Sequence, residues 1–133
     1  MMRELVAVVV GGLIGTGLRL GLDELLWHQP TQFPWSTLIV NLLGSFALGY
    51  LVARVWPVAP VWLRSGLGAG LLGSFTTFSA VMLAVVTLSA FGNVLLAGIY
   101  LFVTLTGGFG AALAGIRLGR RPTDAEQTEA VPE

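Results

Sequence analysis

The sequence predicts an all-α integral membrane protein with four transmembrane helices. Of its 133 residues, 55% are hydrophobic and only 11% are charged, and the mean hydropathy is +0.84. A soluble domain needs about a quarter of its residues charged to cover its surface. Long uncharged stretches alternate with short polar connections, and a helix needs about 20 apolar residues to cross a bilayer. We therefore expect spans at residues 5–26, 34–56, 61–89 and 94–116, within a membrane domain of residues 1–118.

The first span carries two pairs of glycines with four-residue spacing, Gly11 with Gly15 and Gly17 with Gly21. Small residues at this spacing let two helix backbones approach closely. Arg19 lies in the last third of the same span. Its guanidinium either extends to the lipid headgroups or turns inward, where it would favour an anion. The sequence leaves both interpretations open.

The second span begins at Pro34 and Trp35, because proline suits the first helical turn and tryptophan the membrane interface. Asn41 follows in its first half, and an amide in hydrocarbon costs several kcal/mol unless it is hydrogen-bonded. One interpretation is that Asn41 bonds to another helix. The other is that its NH₂ group is directed at a permeating anion.

The third span is the feature that most needs explanation. As an unbroken helix, residues 61–89 would extend about 43 Å, well beyond a hydrocarbon core of roughly 30 Å. Several glycines lead into the hydroxyl-rich segment Gly73-Ser74-Phe75-Thr76-Thr77-Phe78-Ser79. We expect the helix to break near Gly73–Thr77, which a membrane protein tolerates only where the backbone is buried in protein or lines a site. The alternative is that the glycines serve close packing and the hydroxyls bond to their own helix.

The fourth span places Tyr100, Thr104 and Gly108 at four-residue steps on one face. The two hydroxyls of this stripe could form a polar track. After the span, we expect residues 119–133, rich in acidic and small residues, to form a disordered cytoplasmic tail.

The arginines predict the orientation. With four spans, both termini and the connection between the second and third spans lie on one side of the membrane, which carries Arg3, Arg54, Arg64, Arg117, Arg120 and Arg121. The other side has no basic residue unless Arg19, within the first span, is counted there. Because arginine-rich segments stay in the cytoplasm, we expect a cell-membrane protein with both termini cytoplasmic.

The residues at membrane depth do not suit an enzyme. Away from the span ends, Arg19 is the one charged residue and the other polar groups are neutral, so general acid–base chemistry, carboxylate or imidazole metal ligation and proton relays lack their usual groups. Amide and hydroxyl donors, together with the positive edges of aromatic rings, suit a small hydrated anion. Backbone carbonyls released at a helix break suit a cation such as sodium. The chain has no lysine and no basic run, which excludes a nucleic-acid partner.

Three segments together resemble the Fluc (CrcB) fluoride channels. They are Gly12-x-x-Gly15-x-x-x-Arg19, the segment Ser36-Thr37-Leu38-x-Val40-Asn41-x-x-Gly44-Ser45-Phe46, and Gly73 to Ser79. The resemblance covers about residues 3–118 in order and spacing. It implies a four-span subunit in an antiparallel dimer, with two narrow fluoride pores and a structural sodium ion at the centre.

The resemblance also implies roles for individual residues. Backbone carbonyls of Gly73 and Thr76 would hold the sodium ion. The residues implied for the fluoride pore are Asn41, Thr77, Phe78, Ser79, Tyr100, Thr104 and Arg19.

Two positions depart from the family pattern. Val81 stands where a second pore phenylalanine is common, and Gly108 stands where a hydroxyl often continues the polar track. An antiparallel homodimer also needs a subunit that inserts both ways, whereas these arginines are strongly one-sided. We therefore hypothesise pairing with a homologous subunit of opposite orientation, which leaves one competent pore.

Two other functions are compatible with a small four-span chain. A drug or cation exporter has this length, but coupled export of a cation normally needs a carboxylate at membrane depth, whereas Asp23 and Glu24 lie at the end of the first span. A scaffold held together by its glycine faces would tolerate apolar replacements of Asn41 and of the hydroxyl cluster.

Overall fold

The chain folds as four long apolar helices, as the sequence predicts. The computed structural model describes residues 1–120, and the tail predicted for 119–133 lies outside the described residues from position 121 onward. The helices are α1 (Met2–Leu25), α2 (Trp35–Val55), α3 (Val61–Ala90) and α4 (Val94–Gly119). Each is long and apolar enough to cross a membrane.

Glycines set the contact between α1 and the first half of α3, which is the part up to Phe75. A methyl group added at Gly11 or Gly15 would clash with the backbone of Gly66 or Leu71. From the other side, a methyl group at Gly70 would clash with the backbone of Val8. Backbones can approach this closely only without side chains between them, which explains the first glycine pair of α1.

A second glycine contact joins α2 to α4. A methyl group at Gly49 would meet the Ala112 carbonyl, and one at Gly115 would meet the Phe46 carbonyl. The subunit is therefore two helix pairs, α1 with the first half of α3 and α2 with α4. By contrast, Gly17 and Gly21 of α1 have no atom within 4 Å of an added methyl group.

Helix α3 is not uniform along its length. It begins as an α-helix over Val61–Ser65, widens to a π-helix over Gly66–Leu72 and returns to one short turn at Gly73–Phe75. A regular α-helix resumes over Phe78–Ala90. Between them, Thr76 (φ −80°, ψ 156°) and Thr77 (φ −152°, ψ 123°) have extended backbones. The first half of α3 is the part up to Phe75, and the second half is Phe78–Ala90.

Few side chains are buried within one subunit. A small apolar core surrounds Leu38, Val81 and Tyr100 where α2, the second half of α3 and α4 meet. Most other large apolar side chains of the four helices face outward. Such a distribution suits a chain whose outer surface is covered by lipid or by another subunit.

Candidate functional site

A groove of about 720 Å³ opens between α2, α3 and α4. It passes the extended residues of α3 and brings together most of the residues predicted for the site. These are Asn41, Gly73, Thr76, Thr77, Phe78 and Thr104, together with the two departures from the family pattern, Val81 and Gly108.

Asn41 bonds both backbone groups of one extended residue. Its Nδ2 donates to the carbonyl oxygen of Thr77 at 2.9 Å, and its Oδ1 accepts from the Thr77 N–H at 2.8 Å. The amide therefore acts between helices, which is one of its two interpretations from the sequence. Because an amide nitrogen carries two hydrogens, the bond to Thr77 leaves one for another acceptor.

Thr77 also caps the second half of α3. Its Oγ1 accepts from the backbone N–H of Ala80 at 3.2 Å and lies 3.1 Å from the Ser79 hydroxyl. Threonine is well suited to this position because a capping hydroxyl satisfies one of the N–H groups left over at a helix start. Thr77 and Ser79 are thus joined by their side chains at the point where the helix resumes.

The bond from the Thr77 N–H to Asn41 and the bond from the Ala80 N–H to the Thr77 hydroxyl leave two backbone carbonyls without their usual donors. In a continuous helix the Gly73 carbonyl would accept from the Thr77 N–H, and the Thr76 carbonyl from the Ala80 N–H. Here the first donor goes to Asn41 and the second to the Thr77 hydroxyl. Within the described residues, no other backbone donor replaces them. Both carbonyls therefore lie beside the groove without their helical partners.

Phe78 lies at the surface of the groove. Its side chain is 68% exposed in the single subunit although it stands in the middle of an apolar span. A ring left uncovered at this depth is available to line a pathway or to contact another subunit. The structure thus places it beside Thr77 and close to the Asn41 amide.

Tyr100 and Thr104 share one face of α4, and of the two only Thr104 lines the groove. Tyr100 has no exposed surface, and its ring packs edge-on against Phe33 with centroids 5.4 Å apart. Its hydroxyl lies near those of Thr37 and Thr104. Neither the Tyr100 nor the Thr104 hydroxyl has a hydrogen-bond partner in the part of the chain described here. Buried hydroxyls rarely stay unpaired, so this pair needs water or a ligand.

Val81 is the residue through which the second half of α3 joins the core around Tyr100. It is 2% exposed and belongs to the core with Leu38 and Tyr100. An apolar side chain at this position supplies packing and no hydrogen-bond donor. The wall of the groove is thus apolar at the position where the family pattern has a ring.

Arg19 lies apart from the other predicted residues. It does not line the groove, and its Nε is 3.9 Å from Oδ2 of Asp23, one turn further along α1.

Gly44 is a site residue that the sequence alone did not single out. A methyl group there would clash with the side-chain methyl of Thr76, so the extended segment can lie against α2 only because position 44 has no side chain. The signal was present: Gly44 comes three residues after Asn41, and residues at that spacing share a helix face. Arg64 and Trp56, at one end of the groove, were also not assigned to the site.

No cluster of acidic, histidine or cysteine side chains lies near the groove. Among the residues that the structure describes, no three such side chains are close enough to hold a metal ion. A cation at the extended segment would therefore be held by backbone or hydroxyl oxygens.

Comparison with known families covers nearly the whole membrane domain. A family model described as CrcB-like protein, Camphor Resistance (CrcB), matches residues 6–116. The chain belongs to the CrcB family. The resemblance noted from three sequence segments is thereby confirmed. In this CrcB-family chain, the matched range contains all of the residues predicted for the site.

Several relatives of this CrcB-family chain are named fluoride-specific ion channels. The chain is 40% identical over 123 residues to fluoride-specific ion channel FluC 2 of Halalkalibacterium halodurans, covering 90% of this chain and 87% of that protein. It is 40% identical over 124 residues to FluC of Allorhizobium ampelinum, with 90% and 98% covered. It is 41% identical over 125 residues to FluC of Pseudomonas putida, with 90% and 99% covered.

Proposed function

We propose that this chain is a fluoride-selective ion channel subunit that lets fluoride leave the cytoplasm down its electrochemical gradient and so lowers fluoride toxicity. The observation that carries the proposal is a groove whose polar side chains are mostly amide and hydroxyl groups, in a chain about 40% identical to proteins named fluoride-specific ion channels. Flow down a gradient needs neither a reaction nor bound nucleotide. The protein is a channel and not an enzyme.

The chemistry of the groove supports a small anion. The residues that line the groove include Asn41, Thr77, Thr104 and the exposed Phe78, with Arg64 at one end, and none of them is a carboxylate. Amide and hydroxyl hydrogens can replace the water around an anion, and a ring presents its positive edge. A cation exporter would need a carboxylate here. In the proposed pathway the Ser79 hydroxyl, bonded to that of Thr77, is a second donor to the anion. The Tyr100 hydroxyl is a further donor beyond Thr104, at the buried end of the polar track.

The backbone beside Thr77 supports a sodium site. The carbonyls of Gly73 and Thr76 have lost their helical donors, and hard neutral oxygens are the ligands that suit a hard cation. We propose that these two carbonyls hold a structural sodium ion where α3 is interrupted. Such an ion would raise the local potential and so favour anions in the groove.

We further propose that the functional unit is an antiparallel dimer, and that the partner is a homologous subunit of opposite orientation. The exposed Phe78 ring is a surface that a second subunit could cover. The one-sided arginines support a single orientation for this chain, in the cell membrane with both termini in the cytoplasm. Arg19 could reach a pore only in such an assembly.

Fluoride efflux from liposomes tests the function. Vesicles loaded with potassium fluoride and carrying the purified chain, with or without a candidate partner, are given a potassium ionophore, and released fluoride is followed with an electrode. We expect fluoride release at least tenfold above protein-free vesicles when the competent assembly is present, and little chloride release under the same conditions. Absence of efflux with and without the partner would rule out the channel function. Full efflux from the chain alone would rule out the need for a partner.

A further inference from the structure

We propose that Asn41 opens the cation site: its side chain takes the Thr77 N–H away from the Gly73 carbonyl and thereby frees that carbonyl to bind sodium. The inference rests on the proposed function, in which the Gly73 carbonyl is a sodium ligand. It assigns Asn41 a positioning role in addition to its place in the groove, so that one side chain on α2 controls both ions.

Two acceptors compete for the Thr77 N–H. An α-helical Thr77 would donate it to Gly73. Instead the N–H donates to Asn41 Oδ1 at 2.8 Å, from a residue 36 positions away, and Nδ2 of the same amide returns a bond to the Thr77 carbonyl at 2.9 Å. Two bonds to a single residue fix its backbone, because the extended conformation of Thr77 is the one that presents both groups to the amide.

The shape of α2 beside this bond favours the same outcome. Gly44 follows Asn41 on the same helix face, and a methyl group at position 44 would clash with Thr76. Helix α2 therefore presents an amide for Thr77 and an open space for Thr76. The Thr76 hydroxyl and N–H both donate to the Leu72 carbonyl, at 2.9 and 3.0 Å, which holds this residue to the first half of α3.

Removal of the Asn41 amide would leave the Thr77 N–H without its acceptor. A backbone N–H that loses its acceptor bonds to water in the groove or to another protein acceptor, and a protein acceptor within reach does not require an immobilised water. The nearest one along the chain is the Gly73 carbonyl, the partner that helical geometry supplies. A carbonyl that accepts this hydrogen has less electron density to offer a cation, so sodium affinity falls when the amide is lost.

The test measures sodium binding through thermal stability, which does not depend on fluoride conduction. The protein is purified in detergent in the assembly that it forms, and sodium chloride is exchanged for N-methyl-D-glucamine chloride. We expect sodium to raise the unfolding temperature of the wild type. We expect Asn41→Leu to need at least tenfold more sodium for the same rise. Ser45→Ala, which removes a hydroxyl one turn further along α2, should keep the wild-type sodium dependence.

A backbone ester at Thr77 makes the test specific. Replacing Thr77 with its α-hydroxy acid removes the N–H. No hydrogen then competes with sodium for the Gly73 carbonyl, even when Asn41 is absent. The ester also turns the Thr76 carbonyl, the second proposed ligand, into a weaker ester carbonyl, so the reference is the protein that carries the ester alone. We expect Asn41→Leu to change the sodium dependence by less than about threefold when the ester is already present. An Asn41→Leu protein with wild-type sodium dependence, or an Asn41→Leu substitution that costs as much sodium affinity with the ester as without it, would overturn the inference.

Wild-type protein provides a second readout should Asn41→Leu not fold. With ¹³C and ¹⁸O in the Gly73 carbonyl, its infrared band should move when sodium replaces N-methyl-D-glucamine, and a band that does not move overturns the inference. Fluoride efflux is measured in parallel. Loss of efflux from a wild type that still shows the sodium-dependent band would contradict the channel function and leave the role of Asn41 standing.

Discussion

At the scale of single residues, the Tyr100 hydroxyl shows how stability and function can oppose each other. It is fully buried and has no hydrogen-bond partner among the residues that the structure describes. The same is true of the hydroxyl of its neighbour Thr104. A buried hydroxyl without a partner costs about 1–3 kcal/mol relative to a satisfied one. In the proposed channel this hydroxyl meets the permeating anion or the water that accompanies it, which offsets the cost.

Removing that hydroxyl should therefore separate the two effects. We expect Tyr100→Phe to raise the free energy of unfolding by about 1 kcal/mol, because it deletes an unsatisfied group and keeps the ring against Phe33. Fluoride efflux should fall by about tenfold, because one donor of the track is lost. Both are measured on the same preparation, by chemical denaturation in detergent and by electrode. Tyr50→Phe, at the other tyrosine of the chain, is the control and should leave efflux unchanged. A destabilised Tyr100→Phe protein with normal efflux would contradict the prediction.

The sequence identified Asn41 as unusual but could not identify its partner. An amide within an apolar span is visible in the sequence, whereas its partner is the backbone of a residue 36 positions away. Backbone groups carry no sequence signature of their own. For Val81 the family pattern showed only that a phenylalanine common at this position is absent. The structure adds that Val81 packs in the core with Leu38 and Tyr100.

At the scale of helices, the two glycine pairs of α1 look equivalent in the sequence and are not equivalent in the fold. Gly11 and Gly15 contact the backbone of α3, whereas Gly17 and Gly21 face open space in the subunit. Spacing alone predicts that a helix face is smooth, but not which helix lies against it. The π-helical turns of Gly66–Leu72 could not be predicted either, because glycine accommodates several backbone geometries equally well.

This difference gives a prediction for a matched pair of substitutions. Gly15→Ala places a methyl group against the Leu71 carbonyl and should lower the free energy of unfolding by about 1–3 kcal/mol. Gly17→Ala meets no atom and should raise it by up to about 0.5–1 kcal/mol, because alanine favours the helix. Thermal unfolding of each protein in detergent measures the effect. Equal destabilisation by both substitutions would mean that the Gly17 face is also packed, which the single subunit does not show.

At the scale of the whole molecule, hydropathy was sufficient to predict the number of helices and their approximate positions. The uncharged stretches predicted four spans, and four helices are found at those stretches, with α1 beginning at Met2 rather than near residue 5. Assembly could not be read from the chain in the same way, since a surface that meets lipid and a surface that meets a second subunit are both apolar.

The orientation of the molecule is open to a direct test because the chain contains no cysteine. Single cysteines are introduced at Asn93, in the exposed turn before α4, and at Val58, in the exposed connection before α3. We expect a membrane-impermeant maleimide to label Asn93→Cys on intact cells and not Val58→Cys, since the arginines keep the second connection in the cytoplasm. Comparable labelling of both sites would mean that the chain inserts in two orientations. Two copies of this chain could then form an antiparallel dimer without a homologous subunit.

The interruption at Thr76 and Thr77 also has an electrostatic consequence. It divides one long helix into two shorter ones, so that the C-terminal end of the first and the N-terminal end of the second lie two residues apart. Helix ends carry partial charges equivalent to about −0.5 and +0.5 of an elementary charge. An unbroken α3 would hold these charges at the two membrane surfaces, where water screens them. The divided helix brings one of each sign to the middle of the bilayer, where screening is weakest and where a cation and an anion could each find the end that attracts it.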